Sequence, residues 1–337
     1  MNSLRALLPW RLVFKVGKPF WCSEMRKVGL AHLGGIFLLM SVNAAVAVFV
    51  NYTAGRFMTA VEAKSLADFW FYLCCSVGAI ALAAPVQVFY AYIRTRLALV
   101  WRSWLSGRLI ETYGEVFEQI NQRADIDNAE QRVTQDAESF CNSAVGLFMS
   151  LVDASINVLT FITVLWVIAP PLAFTVMVYS TMGLLIVSAI GKNLVGFNFQ
   201  LMKKEADLRA TLTQARTATA EKVFDSDALT LNVKGKLAEV VATLMDILKV
   251  NRNIQLFTNI FNALVSLIPV VIVAPSYFAG DIKFGTITQA VMAFGTVFNG
   301  ATVIIGQFSG ISSFAAITNR LGYLIEVMDQ CRAVRPK

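Results

Sequence analysis

The chain has 337 residues, 56% of them hydrophobic and only 15% charged, with a formal net charge of +7. Mean hydropathy is +0.61, whereas a soluble domain of this length carries about a quarter charged residues. This excludes an ordinary soluble domain, and the cations flank apolar runs instead of forming a nucleic-acid face. Met1–Lys27 is basic and mixed and lacks the short apolar run and small residues of a cleavable leader. Val28–Gly55 follows, free of charge apart from His32. Phe69–Ile93 is the next uncharged run, and Phe140–Gly191 is broken only by Asp153. Asn253–Gly280 and Phe284–Asn319 complete the set. A helix needs about 20 apolar residues to cross about 30 Å of hydrocarbon. Each run supplies one crossing, except that Phe140–Gly191 is long enough for two, with Pro170-Pro171 as the bend. The prediction is an all-α integral membrane protein with six transmembrane helices at 28–318. A segment at 1–27 precedes them and a tail at 319–337 follows.

Positive residues stay on the cytoplasmic side of a membrane. Alternate sides of the six spans carry 26 Lys and Arg against three, the three being Arg56, Lys64 and Lys283. Both termini are therefore expected in the cytoplasm. The two long inner connections read as continued helix. From Phe69 to Ile120 the only proline is Pro85, and a continuous helix there would be roughly 78 Å long. Its inner part keeps an apolar stripe at Leu97, Trp101, Trp104/Leu105, Leu109, Val116/Phe117 and Ile120. The second connection does the same at Leu237, Val240/Val241, Leu244 and Ile247/Leu248.

The five cysteines, Cys22, Cys74, Cys75, Cys141 and Cys331, suggest neither a disulfide framework nor a metal site. No nucleophile–base pair is visible and there is a single His, so no enzyme activity and no cofactor are expected. Gly-Lys occurs at Gly17, Gly191 and Gly235, never followed by Ser or Thr, so a phosphate-cradling loop is not expected.

Proton coupling needs carboxyl groups in partly dehydrated surroundings, because burial favours their neutral form. Asp153 is the acid of the Phe140–Gly191 hairpin and should face the bundle or a wet cavity. It reads either as a proton carrier or substrate contact, or as a hydrogen-bonding group to a neighbouring span. Asn157 lies four residues on, on the same helical face. Glu111, Glu115 and Glu118 share a face at i, i+4 and i+7. Glu205 precedes Arg209 by four residues in the favourable pair order, which gives it a structural reading. His32 reads as a packed or interfacial residue rather than a proton relay. Gln289, Asn299 and Gln307 line a cavity or join helices. Trp101 and Trp104 read as interface anchors. Gly306 and Gly310 have the spacing that allows close helix approach.

At Ile126–Phe140 the sequence reads IDNAEQRVTQDAESF. Asn128 can cap a helix there, and Gln131 can reach back to the cap. The segment resembles the NPDQR-x-x-x-D-x-x-x-F signature of the SbmA/BacA-like peptide transporters and their ATPase-fused bacterial relatives. The peroxisomal fatty-acyl transporters resemble it more distantly. Asn128, Gln131, Arg132, Asp136 and Phe140 stand at matching places, while Ala129 and Glu130 replace a proline and an aspartate. KPFWCSE at Lys18–Glu24, RSWLSGRLIETY at Arg102–Tyr113, GKNLVGFNFQLMKKEADLRATL at Gly191–Leu212 and APSYFAGDIKFGTITQAVMAFGTV at Ala274–Val297 are similar to further family patterns, in order. VFDSDAL at Val223–Leu229 departs from it.

The resemblance implies the membrane domain of an ABC exporter fold, a homodimer enclosing a central cavity, and cavity glutamates of the kind Glu111, Glu115 and Glu118 suggest. It implies a bacterial inner-membrane importer of peptides and other bulky hydrophilic compounds, among them antimicrobial peptides, glycopeptides and cobalamin. Drive would come from the proton gradient. The alternative is a permease subunit that borrows a separate ATPase. A non-transporting membrane scaffold is the third reading.

Overall fold

The structure, a computed structural model, describes residues 9–123, 128–220 and 226–334. Among the described residues every element is helical and no strand occurs. In chain order these are α1 (Trp10–Trp21), α2 (Arg26–Glu62), α3 (Leu66–Glu115), α4 (Phe117–Asn121) and α5 (Ala129–Gln131). A π-helical turn at Arg132–Asp136 follows, then α6 (Ala137–Ile168), α7 (Pro170–Gly191), α8 (Leu194–Ala220), α9 (Ser226–Phe278), α10 (Phe284–Gly306) and α11 (Phe308–Val334).

Length and apolarity make five of the helical stretches able to cross a membrane: Arg26–Glu62, Leu66–Glu115, Ala129–Ile168, Pro170–Thr213 and Thr230–Phe278. Only 11% to 28% of each apolar window is buried within the chain, so most of that surface faces outward. Along α3, Trp70, Phe71, Ile80, Val88, Phe89 and Tyr92 are all more than half exposed. An apolar helix exposed on several sides is at rest only in lipid or against another subunit.

The expected sixth span takes a different form. Phe284–Asn319 is not one rod, because the helix is interrupted at Gln307, between α10 and α11. Polar Gln289 and Asn299 lie within α10, which is no free-standing apolar rod. It is instead a heavily packed helix, with Ala290, Ala293, Phe294 and Val297 each at most 2% exposed and with neighbours α6 and α2. A helix covered by protein needs less apolar surface than one facing lipid. The break also separates Gly306 from Gly310, and Gly310 makes a close approach to Leu147 of α6.

The long inner helices exist, with one correction. At 50 residues α3 is about 75 Å long. It carries Pro85 without stopping, and ends at Glu115, where Val116 leaves helical geometry at φ −119°, ψ 19°. Two compact units divide the chain: residues 1–174 with 269–337, and residues 175–268. The first has a core built on Phe20, Ile36, Met40, Leu97, Phe140, Met149, Leu321 and Leu324. In the second, Tyr179 stacks on Phe261 at 3.9 Å between ring centres and donates its hydroxyl hydrogen to the Phe261 carbonyl at 2.8 Å. Gly183 lies beneath that ring, where a Cβ would collide with it.

Candidate functional site

Three polar or aromatic assemblies lie in the first unit, and the sequence motifs supply most of their residues. At the cation-rich end, Phe20 stacks on Trp101 at 5.4 Å and meets Trp21 edge-on at 5.0 Å. Trp104 meets Phe20 edge-on at 5.7 Å. Phe140 approaches Trp101 edge-on at 5.8 Å and stacks on Phe314 at 5.3 Å. KPFW, RSW and the final Phe of the signature thus converge on one aromatic knot that joins α1, α3, α6 and α11. Offset and edge-on pairs of this kind add about 0.5–1.5 kcal/mol each beyond the area they bury. Trp101 is 7% exposed, so it belongs to this core and is not an interface anchor.

Beside the knot the π-turn presents two buried charged residues, Arg132 and Asp136. Each is 6% exposed. Arg132 Nη1 donates to the Arg320 carbonyl at 3.4 Å. Asp136 Oδ2 lies 3.2 Å from Arg320 Nε, a charge contact without hydrogen-bond alignment. Arg102 Nη2 reaches Glu138 Oε2 at 2.9 Å. The expected Asn128 cap is not the one formed. Asn128 sits in the left-handed region (φ 47°, ψ 53°) with no side-chain cap bond, a conformation Asn tolerates. Its carbonyl accepts from the amides of Gln131 and Arg132, and Gln131 turns to Gln135 at 3.3 Å.

The glutamate trio is dispersed. The end of α3 at Glu115 puts Glu118 on α4, so no single helix face carries all three. Glu115 is taken up by Arg332 of α11, Oε2 to Nε at 3.0 Å, while Glu111 and Glu118 are exposed. In the second unit Glu205 is exposed and forms no ion pair with Arg209. Of the VFDSDAL departure, residues 223–225 lie outside the described residues. His32 is held locally, Nδ1 lying 2.7 Å from the Val28 carbonyl oxygen.

Asp153 occupies the middle of α6, partly buried. Asn157 does lie beside it and donates to the Asp153 backbone carbonyl at 2.9 Å. Across from it, Tyr90 of α3 lies within electrostatic reach of Asp153. The Arg94 guanidinium is 5.8 Å from the Tyr90 ring centre. The sequence points to Asp153 and Asn157, but periodicity offers no sign of their α3 neighbours.

The third assembly seams α2 to α10. Asn51, 2% exposed, donates to the Gln289 carbonyl at 3.0 Å, and Gln289 Nε2 donates to the Tyr52 carbonyl at 3.4 Å. Gln289 therefore joins helices. A Cβ on Gly285 would overlap the Gly55 carbonyl oxygen, and one on Gly55 would overlap the Gln289 side chain. Gly285 N–H donates to Thr59 Oγ1 at 3.2 Å. Glu62 uses both carboxylate oxygens, accepting from Tyr277 OH at 2.7 Å and from Phe284 N–H at 3.1 Å. The first amides of α10 have no partner in their own helix, and α2 supplies them. Sequence reasoning misses Glu62 and Thr59. Only the Ala274–Val297 match points at their partners Tyr277 and Gly285.

Residues 20–278 match the family described as ABC transporter transmembrane region 2. The chain is 32% identical over 329 residues to the chloroplastic ABC transporter D family member 2 of Arabidopsis thaliana, which covers 95% of this chain and 46% of that protein. It is 29% identical over 304 residues to an uncharacterized ABC transporter ATP-binding protein of Synechocystis, covering 88% of this chain and 46% of the relative. The inner membrane ABC transporter ATP-binding protein YddA of Escherichia coli is 22% identical over 344 residues, covering 95% and 61%. The chain spans about half the length of the first two of these curated relatives.

Proposed function

The chain belongs to the ABC transporter transmembrane region 2 family, and from that premise we propose that it forms the membrane half of a transporter for peptides and other bulky hydrophilic compounds. It works as a homodimer by alternating access in a bacterial inner membrane, carrying cargo inward, with both termini in the cytoplasm. The observation that carries the reading is a set of five long apolar helices, little buried by their own chain, joined to the family match over residues 20–278.

The dimer has support within the second unit. On the inner part of α9, Leu237, Val241, Leu244 and Leu248 are exposed at helical spacing, while Val240, Thr243 and Ile247 fill the adjoining, buried face. At 53 residues α9 is about 80 Å long, far more than the hydrocarbon thickness of about 30 Å. Part of it stands in water, and an apolar stripe in water calls for a second protein surface.

ATP is the favoured drive. The relatives of Synechocystis and Escherichia coli carry ATP-binding names, and Glu115 of the glutamate trio is engaged by Arg332. A second reading, coupling to the proton gradient, rests on Asp153 within its span and on the Tyr90–Arg94 pair facing it. Uptake of a labelled proline-rich peptide into proteoliposomes separates the two. Uptake that requires ATP and an ATPase supports the first reading. Uptake that follows an imposed pH gradient without ATP, and that Asp153→Asn abolishes, replaces it with the second. A protein that moves no cargo under either condition is not a transporter of this kind.

A further inference from the structure

The first helix divides its residues between two environments. Successive residues turn by about 100°, so Val13, Val16, Gly17 and Phe20 share one side of α1 with Trp10, Phe14, Lys18 and Arg11 on the other. The first side is committed to protein. Val16 is 2% and Phe20 0% exposed, and Leu12 at the edge of that side presses on Gly322 of α11. Lys15, at the border, pairs with Asp329 of α11 at 3.0 Å and lies 3.9 Å from Glu326.

The second side is uncovered. Trp10 is 48% and Phe14 63% exposed, their rings 6.3 Å apart. Arg11 and Lys18 are exposed beside them and form no ion pair among the described residues. A turn fixed by Ser23, whose hydroxyl donates to the Phe20 carbonyl at 2.7 Å, then leads to exposed Arg26 and Lys27 at the start of the first span. Two exposed aromatics and four cations therefore stand next to the point where the chain reaches the hydrocarbon.

We propose that the Trp10–Phe14–Lys18–Arg11 side of α1 is a docking surface for anionic phospholipid, with the two rings among the upper acyl carbons and the cations on headgroup phosphates. Trp and an amphipathic helix with basic flanks settle in this zone. The net-positive flank selects acidic over zwitterionic headgroups, a preference of about fivefold per cation. Of the three cations on α1, Lys15 serves the protein and Arg11 and Lys18 serve the lipid. The inference rests on the multi-pass reading of the chain but not on cargo or drive.

The test places a benzophenone amino acid at Phe14 in the full chain. The protein is reconstituted with equal parts phosphatidylglycerol and phosphatidylcholine, irradiated, and weighed. Lipid adducts enriched in phosphatidylglycerol are expected. Enrichment should fall several-fold in R11Q/K18Q and should persist in K15Q. High salt should reduce it on the otherwise unsubstituted helix, which needs no charge mutant to fold. Adducts that join two protein chains, or lipid adducts in proportion to membrane composition at every salt, would overturn the proposal.

Discussion

Gly285 and Gly55 are glycines for steric reasons: backbone meets backbone where α10 crosses α2. Gly285→Ala forces the helices apart along the seam held by the Asn51, Gln289, Thr59 and Glu62 hydrogen bonds. Overpacking of this kind costs about 1–3 kcal/mol, and the rigid partner places this site at the upper end. The expected outcome is a lower unfolding temperature in detergent. Gly295→Ala on the same helix, where a Cβ meets nothing within 4 Å, should leave that temperature unchanged or raise it. Asp136 presents a second residue-scale test. Its side chain is 9% exposed against 41% for Arg320, so removing Arg320 strands a buried carboxylate. Arg320→Met should destabilise by about 1–3 kcal/mol, and adding Asp136→Asn should restore much of the loss. A double-mutant cycle with no coupling would mean that the 3.2 Å contact contributes nothing.

Among the helices, α10 and α11 are held by side chains borrowed from elsewhere. The N-terminus of α10 is capped by Glu62 and Thr59 of α2. Glu62→Ala should accelerate hydrogen exchange at the Phe284 amide, whereas Tyr277→Phe should leave that amide protected and weaken only the link to α9. Equal exchange in Glu62→Ala and the parent would mean that Glu62 does not cap α10. Lys15, Asp136 and Glu115 strap α11 to α1, the π-turn and α3. At this scale the sequence is legible where hydropathy and charge act locally. The five long helices and the Pro170-Pro171 bend follow from apolar run length and flanking charge. The end of α3 at Val116 is hard to read, since Gly114 stands inside the helix, no Pro follows, and the change lies in one backbone angle pair. Trp101 escapes such reading because an aromatic near the last apolar residues of a span fits an interface as well as a core. Only its aromatic neighbours Phe20, Trp21 and Phe140 decide between them. Glu62 and Tyr277 are 215 residues apart, and no periodicity connects such positions.

For the whole molecule, the apolar surface left uncovered by the chain is the dominant physical fact. Lipid accounts for it on the spans, and the α9 stripe calls for protein. Val241→Arg with Leu248→Arg should shift the purified protein from dimer to monomer by light scattering, and an unchanged mass would refute the stripe as an interface. The positive-inside rule predicts the proposed orientation, with Arg56, Lys64 and Lys283 on the cation-poor side. The proposed six-span topology takes packed α10 and its continuation α11 as the sixth crossing, which brings the C-terminus back to the side on which the chain began. Labelling with a membrane-impermeant thiol reagent in intact cells tests this directly, using single cysteines at Trp10, Asp281 and Arg332 in a background freed of the native five. Asp281→Cys is expected to react from outside, and Trp10→Cys and Arg332→Cys only after the membrane is opened. Reaction of Trp10→Cys and Arg332→Cys from opposite faces would contradict the six-span topology.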